Sequence, residues 1–234
     1  KPNAMNDPAP QVQTRRYPAH LRALAALLRV FFSLLYHQFA WTYDLVSALV
    51  SLGLWQAWVR HVLPYLQGPR VLELGHGPGH LQVALQQKNL STFGLDRSPQ
   101  MGRQARKRLR RMKLTPQLVN GASQNLPYPS GAFQQVTATF PTEYIVDPRT
   151  LAEIYRVLAP GGSAIILPLA WIKGRSLPQR FAAWLFRVTG EAPDWDDRFL
   201  DPFRRAGFQV SAEWLEHQFS TLLVIRAVKP SILL

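Results

Sequence analysis

An α/β fold built on a largely parallel sheet covered on both faces is the architecture this chain predicts, and three observations predict it. From Arg70 onward, short apolar runs alternate with amphipathic helical stretches, the pattern of successive βαβ units. The first run ends in a glycine turn, Gly75-His76-Gly77-Pro78-Gly79. Near the end, Phe208–Trp214 and Ser220–Val228 are strand-like runs only a few residues apart, a spacing that suits a hairpin and so one antiparallel C-terminal strand. Composition agrees: 234 residues that are 47% hydrophobic can bury one domain's core, and the absence of cysteine excludes disulfides, thiolate metal sites and a cysteine nucleophile. With 27 Lys+Arg against 14 Asp+Glu, the net charge of +13 favours polyanionic partners.

Taken in order, residues 1–16 are polar and proline-bearing, without apolar periodicity, and are expected to be a flexible tail. The first apolar run starts only at Leu21 and no cleavage pattern follows it, so the expected location is cytoplasmic. Leu21, Leu24, Leu27, Leu28, Phe31, Phe32, Leu35 and Phe39 keep 3.6-residue spacing. They predict an amphipathic helix over 21–39, which either packs on the domain core or lies on an anionic membrane surface. A second helix is predicted over Tyr43–Leu66, stopping at Pro64 to Pro69. Together 17–68 form an N-terminal helical cap, and 69–234 the core.

Within the core, strands are predicted at Val71–Leu74, Thr92–Leu95, Gln117–Asn120, Val136–Phe140 and Ala164–Leu169. His80–Gln87 is helical. So is the segment opened by Ser98 as cap and Pro99 in the first turn, with Met101, Ala105, Leu109 and Met112 as its apolar stripe. Its outer face is basic, with seven Lys or Arg between Arg103 and Lys113. A solvated face, an anionic membrane surface contacted through helix 99–113, or a nucleic acid all satisfy that charge. Between the fifth strand and the hairpin, about 171–195, Leu177, Phe181, Trp184, Leu185 and Val188 form a stripe ringed by Lys173, Arg175, Arg180 and Arg187.

The glycine turn lets backbone approach a ligand, and the following helix N-terminus favours negative charge. Asp96 stands at the tip of the next strand, where a carboxylate can accept both hydroxyls of a ribose. A dinucleotide fingerprint would need glycine at position 80, which is His. The histidines His37, His61, His76 and His80 lack ligand spacing, so no metal is expected. No Gly-x-Ser-x-Gly elbow supports a hydrolase.

Gly-x-Gly-x-Gly with Glu73 two residues ahead resembles motif one of class I S-adenosylmethionine-dependent methyltransferases. Phe93–Met101, Gly121–Tyr128 with Gly131–Phe133, and Leu151–Gly162 are similar to that family's later motifs in order, nearest the branch of ubiquinone and menaquinone biosynthesis methyltransferases. The resemblance implies a Rossmann-like, seven-stranded sheet, S-adenosylmethionine as cofactor, and a lid made by the cap and the 171–195 insertion. Residue by residue, it implies that Gly75, His76, Gly77 and Gly79 wrap the methionine part, Glu73 orders that loop, and Asp96 holds the ribose. Arg97 and Met101 would flank the adenine, and Tyr43 would lie over the cofactor. Relatives carry Asp where this chain has Ala122, so one adenine contact is expected to be either missing or supplied by Ser123 or Gln124. Gln134 likewise replaces an Asp. The segment Phe140-Pro141-Thr142-Glu143-Tyr144 would face the transferred methyl, with Glu143 and Tyr144 as candidates to orient or deprotonate an acceptor. The acceptor expected is a small lipophilic molecule, quinone-like or phospholipid-like. An RNA or protein methyltransferase using helix 103–113, and a non-catalytic membrane-surface or regulatory module on the same fold, remain the competing readings.

Overall fold

The computed structural model describes residues 51, 53–173 and 197–231. The tail over 1–16, the helix over 21–39, Tyr43 and most of the lid insertion over 171–195 lie outside the described residues. Helix α1 (Trp55–Arg60) leads through a 3-10 turn (Leu63–Tyr65) to β1 (Arg70–Leu74), α2 (His80–Gln87), β2 (Ser91–Asp96) and α3 (Pro99–Arg111). Then follow β3 (Leu118–Asn120), β4 (Phe133–Thr139), α4 (Pro148–Val157), β5 (Leu158–Ile172), α5 (Asp201–Arg205), β6 (Gln209–His217) and β7 (Ser220–Val228). The seven strands make one sheet in the order β3-β2-β1-β4-β5-β7-β6. Pairing is parallel from β3 to β5 and antiparallel wherever β7 takes part, as the hairpin spacing predicts.

Alternate residues of the central strands serve two cores, because successive side chains point to opposite faces. Leu72, Leu74, Val136, Ala138 and Ile166 join one cluster with α4 and α5. Val71, Ile165 and Leu167 join the other, with Trp58 and Val62 from the cap side and Leu81 and Leu85 from α2. The cap is fastened to the hairpin by polar contacts. Trp58 Nε1 donates to Ser220 Oγ at 2.8 Å, and Tyr65 OH donates to Glu213 at 2.8 Å. His61 meets His217 edge to face at 4.6 Å, where burial and then that second imidazole lower its pKa below 6.5.

Two expectations need correction. A continuous helix over Tyr43–Leu66 fails in its described part, since Gly53 adopts φ +82°, outside helical space, and α1 starts only at Trp55. Pro64 then sits in a separate 3-10 turn; apolar spacing alone had carried the period across both breaks. The fifth strand also outruns Ala164–Leu169 at both ends. Its register slips between Ile166 and Leu169 opposite β7. Pro168 falls inside that slip, where a residue without an N–H is tolerated, and pairing resumes to Ile172.

Candidate functional site

At the carboxyl edge of β1 the chain turns through three residues with left-handed backbone: Gly75 (φ +70°), Gly77 (φ +52°) and Gly79 (φ +85°). Glycine is the residue that adopts such angles without strain. At Gly77 a Cβ would meet nothing within 4 Å, so the loop presents bare backbone toward open space. At Gly79 the opposite holds: a Cβ would lie 2.8 Å from the Ala105 Cβ and 3.1 Å from its Cα. The start of α2 is therefore pressed against α3, and the loop is fixed by helix contact. Changing Gly79 to Ala combines a backbone clash with an unfavourable φ. We expect a destabilisation of about 2–3 kcal/mol, read as a fall in Tm of roughly 5–10 °C for a chain of this length; an unchanged Tm would show that the loop is not packed as described.

Asp96 ends β2 beside this loop and is buried. Its Oδ2 accepts the Gly77 N–H at 2.8 Å and its Oδ1 accepts the Ser98 N–H at 2.8 Å. The carboxylate thus clamps motif one and starts α3, whose Ser98 hydroxyl caps the Met101 N–H at 3.3 Å. A carboxylate oxygen can accept more than one hydrogen bond, which suits this group to an incoming hydroxyl. His76 lies under the loop with Nδ1 2.7 Å from the Gly77 carbonyl, and burial lowers its pKa, which keeps the ring neutral. Its ring explains Gly94: a Cβ there would come within 2.9 Å of His76 and 2.6 Å of Leu118.

Glu73 is buried on β1, with Gln82 Nε2 of α2 donating to it at 2.8 Å. No cation pairs with it among the described residues. Burial, and secondarily the nearby Asp96, push its carboxyl up to about 8 against the downward pull of the Gln82 bond. Sequence reasoning missed Gln82. The available signal was an amide on the same helical face as the apolar Leu81 and Leu85.

The segment after β4 reaches over the same loop. Phe140 takes φ +49° and its ring stacks on Trp55 of α1 at 4.3 Å, so the chain swings and brings Tyr144 across β1. The Tyr144 hydroxyl donates to the Leu74 carbonyl at 3.3 Å and would lie 2.7 Å from a Cβ on Gly75. Burial, then Asp96 and Glu73, raise its pKa, so at neutral pH it is a donor and no base. Glu143, on the same 3-10 turn, is exposed.

The structure therefore gathers Glu73, Gly75, His76, Gly77, Gly79, Asp96 and Tyr144 around one loop, with Arg97 exposed beside it. Met101, Ala122, Ser123 and Gln124 are placed otherwise. Met101 is fully buried with Ala105 and Leu109 on the inner face of α3. Ala122 is exposed, Ser123 Oγ pairs with Thr150 Oγ1 at 3.0 Å, and Gln124 Nε2 donates to Asp147 at 3.1 Å. Both expected substitutes for the missing Asp are thus tied to the start of α4.

A parallel sheet that opens at its carboxyl edge onto a glycine loop, with a carboxylate at the tip of the second strand, has the Rossmann-like architecture. The model of the methyltransferase domain family matches residues 71–162. Demethylmenaquinone methyltransferase of Thermus thermophilus is 33% identical over 139 residues, covering 57% of this chain and 63% of that protein. The chloroplastic 2-methyl-6-phytyl-1,4-hydroquinone methyltransferase 1 of Oryza sativa is 28% identical over 62% of this chain and 42% of its own. The chain thus spans less than two thirds of the length of either relative. Among solved structures, phosphoethanolamine N-methyltransferase 2 of Haemonchus contortus, in complex with phosphomonomethylethanolamine and S-adenosylhomocysteine, shares the fold at a TM-score of 0.55. It is 17% identical over 75% of this chain and 52% of that one.

Proposed function

We propose that the protein transfers a methyl group from S-adenosylmethionine to a small lipophilic acceptor of the quinone class. The observation that carries this reading is the pairing of Asp96 with the glycine loop. A buried carboxylate that accepts the Gly77 N–H stands beside bare backbone with room for a ligand at Gly77. These residues fit a nucleoside bearing a charged amino-acid arm. The names of the quinone-modifying relatives support the acceptor class.

S-adenosylmethionine, when bound, supplies an activated methyl on a positively charged sulfur, so the protein's work is positioning and water exclusion. Asp96 accepts the ribose hydroxyls, and the Gly75–Gly79 backbone receives the remainder. Tyr144, held protonated by burial, donates a hydrogen bond to the Leu74 carbonyl and so holds this segment over the loop. Glu143, exposed on the same turn, accepts the proton that a quinol acceptor must shed.

The test is a radiolabelled methyl-transfer assay against a short-chain naphthoquinol, an ethanolamine phospholipid and a mixed RNA pool. Methylated quinol is expected. Glu143→Gln should lower kcat by roughly 10²-fold, within the usual range for a general base, while S-adenosylhomocysteine binding is unchanged. Methylation of RNA alone would overturn the acceptor class. Cofactor binding without transfer to any acceptor would make the domain a non-catalytic module.

A further inference from the structure

The outer face of α3 is the most concentrated charge among the described residues. Arg103, Lys107, Arg110, Arg111 and Lys113 are exposed, and no carboxylate pairs with any of them among the described residues. Arg103, Lys107, Arg110 and Arg111 join Arg106 around a shallow cleft of about 470 Å³. Arg103 to Lys113 is ten residue steps on and just past the helix, which puts this charge along roughly 15 Å. A like-charged row of that density raises the energy of the isolated protein, and an anionic surface relieves it.

Met112 sits among these cations at the end of the helix and is 50% exposed, one of two large apolar side chains that are exposed among the described residues. Together with Arg108 it borders a second hollow that runs to His80 of α2 and Gln56 and Arg60 of α1, so the basic face continues beyond α3. Two arginines point inward instead: Arg106 donates to the Leu118 carbonyl and Arg108 to the Pro78 carbonyl of the glycine loop. The face is thereby braced against the site.

We propose that this face docks the protein on an anionic phospholipid bilayer. Long cationic side chains reach lipid phosphates while their stems and Met112 enter the headgroup boundary. A nucleic acid fits the same charge less well. Positions 103–113 contain no aromatic to stack a base, and an exposed methionine has no counterpart in a phosphate backbone. This inference does not depend on the acceptor or on turnover.

The experiment is co-sedimentation of the full chain with vesicles of phosphatidylcholine alone or with added phosphatidylglycerol, at low and high salt. Partitioning into the anionic vesicles is expected to exceed that into neutral ones by more than about tenfold at ~0.1 M salt, and to fall steeply at ~0.5 M. Replacing Arg103, Lys107, Arg110 and Arg111 by Gln should remove the preference, while exchanging the three arginines for Lys should keep it. S-adenosylhomocysteine titration and circular dichroism show that both variants are folded. Equal binding to neutral and anionic vesicles, or an unaltered preference in the Gln variant, overturns the proposal. So does tighter binding of a short RNA than of vesicles at equal salt, lost in the Gln variant, which would assign the face to nucleic acid.

Discussion

Asp96→Ala is expected to abolish S-adenosylhomocysteine binding in a calorimetric titration. The carboxylate is buried at the tip of β2 and already accepts the Gly77 and Ser98 N–H groups. An incoming ribose would donate two hydroxyls to this carboxylate. Hydrogen bonds to a charged acceptor contribute about 1.5–3 kcal/mol each, so two of them are worth roughly 10²–10⁴ in affinity. The substitution also strands two backbone donors, one of which positions the loop itself. Asp96→Asn separates these effects, since its amide oxygen can still accept from one N–H but has no charge and one oxygen fewer. We expect Asn to bind at least about tenfold more weakly than Asp, because the neutral acceptor forms the weaker bond. A folded Asp96→Ala protein that binds within about threefold of the parent would remove the ribose from this carboxylate and overturn the site.

What the sequence made legible is what neighbours in the chain decide. The β1 run, the glycine turn and α2 were readable because their periods change within a few residues and because left-handed turns call for glycine. The Ser98 cap and Asp96 were readable for the same reason. Contacts between distant segments were not. Tyr144 lies 70 residues from Leu74, whose carbonyl it bonds, and nothing local announces that a positive φ at Phe140 sends its ring to Trp55. Gln135 is similar: from the middle of a strand its amide accepts the Gln67 and Gly68 N–H groups and donates to the Tyr65 carbonyl, clamping the chain that leads into β1. Ser123 and Gln124 are a further case: beside Ala122 the contact was expected to be missing or supplied by one of them, and distant partners at the start of α4, Thr150 and Asp147, engage both. Local pattern therefore located the loop and its carboxylate, while the polar groups that hold them became visible only once the chain was folded.

Binding of the methyl donor is expected to release a proton from Glu73. Its carboxyl is pushed up to about 8, first by burial and then by Asp96, against the Gln82 hydrogen bond. At pH 7 it is therefore mostly protonated. The folded chain holds this proton in the window from the ordinary 4.5 to about 8, so Glu73 favours the folded state most at low pH and loses that contribution as pH rises through 8. A donor that brings positive charge over the loop favours the ionised form, since an opposite charge within a few ångströms lowers a carboxyl pKa by about 1–3 units. Titration in two buffers of different ionisation enthalpy should then report release of ~0.4–0.9 proton per donor bound at pH 7, following from that range. Almost none should be released at pH 9.5, where Glu73 is already ionised. The His76 ring, held neutral by burial, has no proton to give at pH 7, and Tyr144, raised by burial, keeps its own. Glu73→Gln preserves the contact with Gln82 in shape and should bind with no proton release, and its urea midpoint should lose the fall between pH 5 and 8.5. S-adenosylhomocysteine, which lacks the sulfonium charge, should release fewer protons than S-adenosylmethionine. Equal release by both ligands, or release that survives in Glu73→Gln, would show that the proton comes from elsewhere and that the buried carboxyl does not sense the sulfonium.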